Sequence, residues 1–594
     1  LAPPRQNRTR LFKAVWSGDE DRVRAVLCEG VDPNTFDSRH NHTPLSLACR
    51  KKHLQIVKIL LQNGSDPSLQ KPGGFWNALS YATATNSPEI VSVLIEAKAD
   101  PNSGCSLHIA ASKQNLSDIA LELLQHRADP NEAHPSNGLT PLIIAARNDS
   151  LRCTRYLLSF GAVVSAYREK SGMTALHMSA WYGFTDNLQL LLQAKASVNR
   201  EMFNAGETAL HLAASQGHTD AVQILLDESR DTANPGASFC YFPSPLLLAA
   251  KNGHPRVVEV LIAAGASFRN QEQVSPGCKL SPLQIASKKG NTDVVACLLG
   301  HRAEIQPVSN VPPLTIAAQS GHMDTVQLLL DCKAGVDATV PYHRMTALTS
   351  ACLEGHYNVA DQLLTAGRAS REMGDSNHPV AAAALCGSME TLLTLYRHGV
   401  CFPELPLVHS NHAIFCAAKK GHHRILSFLL EKGVTGVDKP ANKGKTPLVA
   451  AAQGGFEACV ELLLLNRADP CSAHQISGKT ALHWACQIDS LACAQKLVEA
   501  KADINACKNH SGATPLLTAI KNKSDRCLEL LLSSGVDPDV QKTITGETAL
   551  HVACAVGNKT ATQLLINRMS PTSKFERVNR LSGNNKSALF HTCS

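Results

Sequence analysis

The sequence predicts an all-α fold, an α-solenoid of about seventeen helix-turn-helix-finger repeats forming a curved superhelical rod. Three observations predict it. A short phrase, Thr-Pro/Ala-Leu-x-x-Ala-Ala, recurs from one end of the 594-residue chain to the other at a nearly constant interval. Each copy is followed by a turn signal and a second apolar run. The composition, 44% apolar and 18% charged, is that of a folded chain and excludes wholesale disorder.

The phrase starts clearly at Thr43, Thr140, Thr174, Thr208, Thr346, Thr446, Thr480, Thr514 and Thr548. Degenerate copies start at Thr9, Asn77, Cys105, Ser244, Ser281, Pro312, His378 and His412. That makes 17 complete units, with an eighteenth begun at Ser587 and cut off at Ser594. Ten of the 17 start-to-start intervals are 34 residues; the rest run from 28 to 39. The expected organisation is one continuous array over residues 1–594. Irregular joints are expected at Gly104–Leu107 and near 227–243, 270–280, 300–312, 371–380 and 570–587.

Within a unit, the elements follow in order. The Thr hydroxyl caps a first helix, and a Pro beside it suits the first helical turn. Leu and Ala then form an apolar stripe of small side chains that lets neighbouring helices approach closely. A Gly, present in 11 of 17 units, supplies the turn. The second helix carries a run such as VQILL or VELLLL, with Pro88 and Pro255 at its first turn. Gly/Lys-Ala-Asp-x-Asn and a polar stretch close the unit as a projecting finger.

These units resemble ankyrin repeats, which share the helix pair and the T-P-L-H-x-A phrase. The resemblance covers essentially the whole chain. It implies a protein-binding array whose fingers and first-helix ends line a concave face. It also implies that the repeated histidines bond loop backbone and tie one unit to the next: His177, His211, His483 and His551 after the phrase Leu, His218, His254, His322, His356 and His422 after the turn Gly. Stacking at about 8–10 Å per helix layer gives a rod on the order of 150 Å long.

Other functional classes find little support. Lys and Arg number 57 against 50 Asp and Glu, and a surplus of seven over this length is too dilute for a nucleic-acid footprint. No eighteen-residue apolar stretch occurs, so no membrane insertion is expected from this segment. The chain starts at Leu1 without an initiator Met or a signal-type core, and it ends inside a repeat phrase, so the natural polypeptide is expected to continue. There are twenty cysteines and no C-x-x-C. Cys49, Cys352, Cys486 and Cys554 take the second small position of the phrase, and Cys153, Cys459, Cys493 and Cys527 share one register in the second run. This usage as small apolar residues points to the reducing cytosol or nucleus.

The Gly-Lys-Thr triplets at 444–446 and 478–480 lack the upstream Gly of a phosphate loop and belong to the repeat consensus. His409, His412, Cys416, His422 and His423 are loosely spaced like zinc ligands, but the repeat registers account for His412, Cys416 and His422. No catalytic residues, cofactor or metal are therefore expected.

The informative positions are the two residues before each turn. Ten of these 34 are basic: Arg50, Lys51, Lys113, Arg147, Lys251, Lys288, Lys289, Lys419, Lys420 and Lys521; Glu354 alone is acidic. Trp16, Trp181 and Tyr182 fall there too, while Phe75, Trp76, Phe239, Tyr241 and Phe242 fall in fingers or loops. Trp484 replaces a Leu and is expected in the core. The expected function is a non-catalytic protein–protein interaction scaffold or adaptor, the recognition portion of a longer protein, with partners carrying an acidic surface. The alternative is the cytoplasmic repeat arm of a membrane channel or of a long ankyrin-rich toxin.

Overall fold

The computed structural model describes residues 5–37, 42–70, 75–203, 206–229, 244–267, 280–306, 311–340, 345–366, 378–400, 407–434, 436–441, 444–508, 511–538 and 546–568, with backbone alone for 5–7 and 407–412. Among the described residues are 34 α-helices, which fall into seventeen consecutive pairs, and no β-strand. Phe239, Tyr241, Phe242 and the segment from Ser587 lie outside them, as do 307–310 of the joint near 300–312 and most of the joints near 227–243, 270–280, 371–380 and 570–587.

The cap is built as the sequence requires. Thr43 accepts a hydrogen bond from the Ser46 amide at 3.0 Å, and the Ser46 hydroxyl accepts one from the Thr43 amide at 2.9 Å, opening helix Pro44–Lys51. In four units a histidine takes the place of that serine. Thr174, Thr208, Thr480 and Thr548 close reciprocal caps with His177, His211, His483 and His551. Such a box satisfies two amide donors that a helix start otherwise leaves open.

Behind the cap, the phrase Leu and the Ala pair face inward: Leu45, Ala48 and Cys49 are buried, as are Leu176, Ala180, Leu210, Ala213 and Ala214. Each such Leu contributes on the order of 2 kcal/mol by leaving water. First helices pack on first helices and second on second, and second helices also pack on the first helix of their own unit. Seven of the eight register cysteines are fully buried, and Cys554 is half-buried at the last described pair.

The turn after the first helix carries the tie between units. Gly183 adopts φ +73°, and a Cβ there would sit 2.5 Å from the ring of His218 in the next unit. The vacated space lets the His218 Nε2–H donate to the Trp181 carbonyl at 3.0 Å. His254, His322 and His356 repeat the device onto the carbonyls of Ser215, Lys288 and Gln319, each at 3.1 Å. Fingers are tied by another ladder. The Asn34 side chain accepts from the Asp66 amide at 2.7 Å and donates to the Gly64 carbonyl at 3.0 Å, and Asn131 accepts from the Val163 amide at 2.7 Å.

The 28-residue interval before Cys105 has a local explanation. Its finger is reduced to a single 3-10 turn, Ser103–Cys105, that runs straight into helix Ser106–Ala111. Gly104, at φ +77°, sits so close to Asn77 and Ser80 that a Cβ would fall within 2.6 Å of both side chains.

The chain divides into two compact units. One comprises Leu1–Ala286 with Asp293–Glu304, the other Ser287–Thr292 with Ile305–Ser594. Each is built from the same helix pairs in the same order.

Candidate functional site

Counting from the repeat Thr as position zero, the apolar stripe occupies positions two, five and six. Helical periodicity places positions four, seven and eight together on a different face. The residue just before the Thr ends the finger and lies alongside that face. Four registers therefore make one row per unit: finger base, mid-helix, and two at the helix end.

In the first compact unit the row is aromatic and basic. Trp16 is 56% exposed, and the Lys51 ammonium lies 3.4 Å from its ring centroid, which leaves Lys51 half-buried. The Arg50 guanidinium donates to His42 Nε2 at 3.0 Å. His42 and Trp76 both meet Tyr81 edge-on, with centroids 5.0 and 4.9 Å apart. Phe75 approaches His134 at 6.1 Å. Trp181 and Tyr182 are exposed, the latter stacked on Phe184 at 5.6 Å. Lys113, Arg147 and Lys251 are exposed. Two finger aromatics went unnoticed in the sequence: Tyr167 and Phe203 meet at 5.2 Å, and the Arg200 guanidinium lies 4.6 Å from the Tyr167 ring. Their signal was available, since both stand in polar fingers a few residues before the repeat Thr.

In the second compact unit, Lys288, Lys289, Lys419, Lys420 and Lys521 are all exposed. The Lys288 carbonyl accepts from His322 of the next unit. The placement of Trp484 corrects the expectation of a core residue. It is half-buried, with the Lys479 ammonium 4.1 Å and the Lys445 ammonium 5.4 Å from its ring. The reason is size: Leu47, Leu212 and Ile316 are buried at the same position four, and the larger indole of Trp484 extends beyond that depth to meet the two lysines.

Titratable groups in the caps are strongly perturbed. His177 Nδ1 accepts from the Thr174 amide at 3.3 Å, while its Nε2–H donates to the Arg200 carbonyl at 3.0 Å. His483 does the same with the Thr480 amide at 3.2 Å and the Ala513 carbonyl at 2.9 Å. Burial holds His108, His177, His211 and His483 down to about 4. Burial also pushes the Cys153 thiol up to about 12 and those of Cys416 and Cys459 to about 11. These are features of neutral, structural side chains. Among the described residues no group of three or more His, Cys, Asp or Glu could hold a metal ion, and no helix is long and apolar enough to cross a membrane. The side chains of His409 and His412 lie outside the described residues.

Comparison with known proteins follows the same lines. The family described as "Ankyrin repeats (3 copies)" matches residues 7–105, 107–202, 200–272, 246–342, 283–372, 380–474, 465–542 and 518–594. The mouse "B-cell lymphoma 3 protein homolog" is 28% identical over 176 residues, which is 30% of this chain and 33% of that protein. The Drosophila melanogaster "Transient receptor potential channel pyrexia" is 32% identical over 122 residues, 20% of this chain and 13% of the channel. Among solved structures, the human ASB11 ankyrin repeat domain matches 38% of this chain and 98% of its own, at 23% identity and a TM-score of 0.34. The chain thus spans no more than a third of the length of these two curated relatives.

Proposed function

The chain belongs to the ankyrin-repeat family, and from that premise we propose that it is a non-catalytic scaffold or adaptor, the recognition portion of a longer protein, acting in the cytosol or nucleus. The reading is supported above all by the row of helix-end side chains. Trp16, Arg50, Lys113, Arg147, Trp181, Tyr182 and Lys251 in one compact unit, and Lys288, Lys289, Lys419, Lys420 and Lys521 in the other, are exposed. Ankyrin repeats are protein-binding modules, and aromatic and basic side chains are those that anchor interfaces. The partner is a protein with an acidic surface. Finger contacts come from Phe75 and Trp76, both partly exposed, and from Phe239, Tyr241 and Phe242.

Affinity capture with the whole array as bait, followed by mass spectrometry, identifies the partner. Replacing Lys288, Lys289, Lys419 and Lys420 with Glu should slow its association and weaken its salt dependence, because exposed charges act over about 8 Å at physiological ionic strength. Unchanged association in that variant would leave the basic bias as helix-end chemistry offsetting the dipole. The similarity to a fly channel over 122 residues favours a second reading, the repeat arm of a channel. Six apolar spans in the polypeptide beyond residue 594 would decide for it.

A further inference from the structure

We propose that Lys445, Lys479 and Trp484 form an anchor for paired carboxylates of an acidic segment in a protein partner. The anchor lies across helices Pro447–Gly454 and Ala481–Gln487. This rests on the reading of the helix-end row as a partner-binding surface, and it names the residues that hold the partner's charge.

The two lysines occupy the finger base of consecutive units and share one indole. Their ammonium groups stand 5.4 and 4.1 Å from the Trp484 centroid. Each donates to a neutral amide oxygen at the helix end of its own unit, Lys445 to Gln453 at 2.8 Å and Lys479 to Gln487 at 2.9 Å. Neither meets a carboxylate among the described residues. Burial, and then the neighbouring Lys445, push the Lys479 ammonium below the usual lysine range. Two cations brought together without an anion are unfavourable unless something of opposite charge arrives.

A second observation points the same way. The indole Nε1–H of Trp484 is buried and has no acceptor among the described residues. A donor left in that state costs about 1–3 kcal/mol. A carboxylate seated over the exposed part of the ring would accept from both ammonium groups, and a small opening at the ring edge would bring the indole N–H within its reach. Charge along the row extends the site. Positions seven and eight of the flanking units supply Lys419, Lys420 and Lys521, all exposed, and the four consecutive units place no acidic residue at those positions.

The same row argues against nucleic acid. Single-stranded nucleic acid is held by successive aromatic platforms, whereas position four across these units reads Cys416, Ala450, Trp484 and Thr518, a single aromatic. One aromatic among lysines suits an acidic peptide.

The test uses the full chain and a fluorescein-labelled deca-glutamate peptide, read by fluorescence anisotropy at low and at physiological salt. Lys445→Gln with Lys479→Gln should weaken binding about tenfold or more, the scale of losing close charge pairs. Trp484→Leu, which installs the residue that Leu212 provides at the same register, should weaken it several-fold. Lys58→Gln with Lys559→Gln, exposed lysines of second helices outside the row, should change it less than twofold. On the unmodified protein the peptide should protect Lys445 and Lys479 from reductive methylation, a readout that needs no variant to fold. Equal losses in the two lysine pairs, or no protection, would remove the anchor and leave the wider basic surface standing. No peptide binding at low salt would remove both. Tighter binding of a deca-thymidine strand than of the peptide would overturn the peptide assignment.

Discussion

Acid should loosen this protein through its cap histidines, and the size of the effect follows from their geometry. In His177 and His483 one ring nitrogen accepts from a backbone amide and the other donates to a carbonyl of the next finger. A second proton has no place to go without turning an acceptor against an N–H. His177, His211 and His483 are no more than 3% exposed, and burial lowers each to about 4. The unfolded chain takes up a proton on each near 6.5, well before the folded one. Their contribution is therefore fully present above about pH 6.5, is lost as pH falls from there towards 4, and levels off below. At pH 5.5 each histidine costs about 1.4 kcal/mol of stability, so the pair His177 and His211, in consecutive units, costs about 3. The perturbation is His177→Ser with His211→Ser, because Ser46 shows that serine closes the same cap. At neutral pH the variant should lose about 1 kcal/mol for the missing bond from His177 to the Arg200 carbonyl. Between pH 7.5 and 5.5, however, its unfolding free energy in urea, followed by circular dichroism, should fall about 3 kcal/mol less than that of the parent. Equal acid sensitivity in parent and variant would refute the argument, since the titrating groups would then lie elsewhere.

Three further outcomes are expected. Lys98, Lys195, Lys333 and Lys501 hold φ values of 60–63° where other units place a Gly such as Gly265; replacing each with Gly should stabilise the fold by about 0.5–1 kcal/mol, and a lower urea midpoint would contradict the strain argument. Gly183→Ala should cost well over the roughly 1 kcal/mol of Gly265→Ala, because only the former drives a Cβ into a neighbouring ring, 2.5 Å from His218. Among the thiols, Cys28, Cys471 and Cys507 are exposed and should react with a thiol reagent in the native state, while the buried Cys49, Cys153 and Cys352 should not; a fall of several degrees in melting temperature on adding reductant would show a structural disulfide instead.

Much of this protein is legible in its sequence because a repeat writes each local rule many times. The Thr cap, the apolar stripe at positions two, five and six, the turn Gly and the 34-residue spacing each depend on contacts within one unit or between identical neighbours. Periodicity alone therefore locates seventeen helix pairs, and register alone buries Cys49, Cys153 and Cys486. What tertiary structure decided are contacts in which the units differ. That Trp484 rests between two lysines depends on Lys445 from the preceding unit reaching over the finger base, and a substitution of Leu by Trp carries no trace of it. That Tyr167 meets Phe203 and Arg200 depends on the approach of two fingers 33 and 36 residues apart in sequence. That Trp16 receives Lys51 depends on the stacking of the first helix on the next. A repeated pattern determines the layer to which a side chain belongs. Which side chain of the neighbouring unit it touches is set by stacking distance and rotation between units, and those belong to the assembled array.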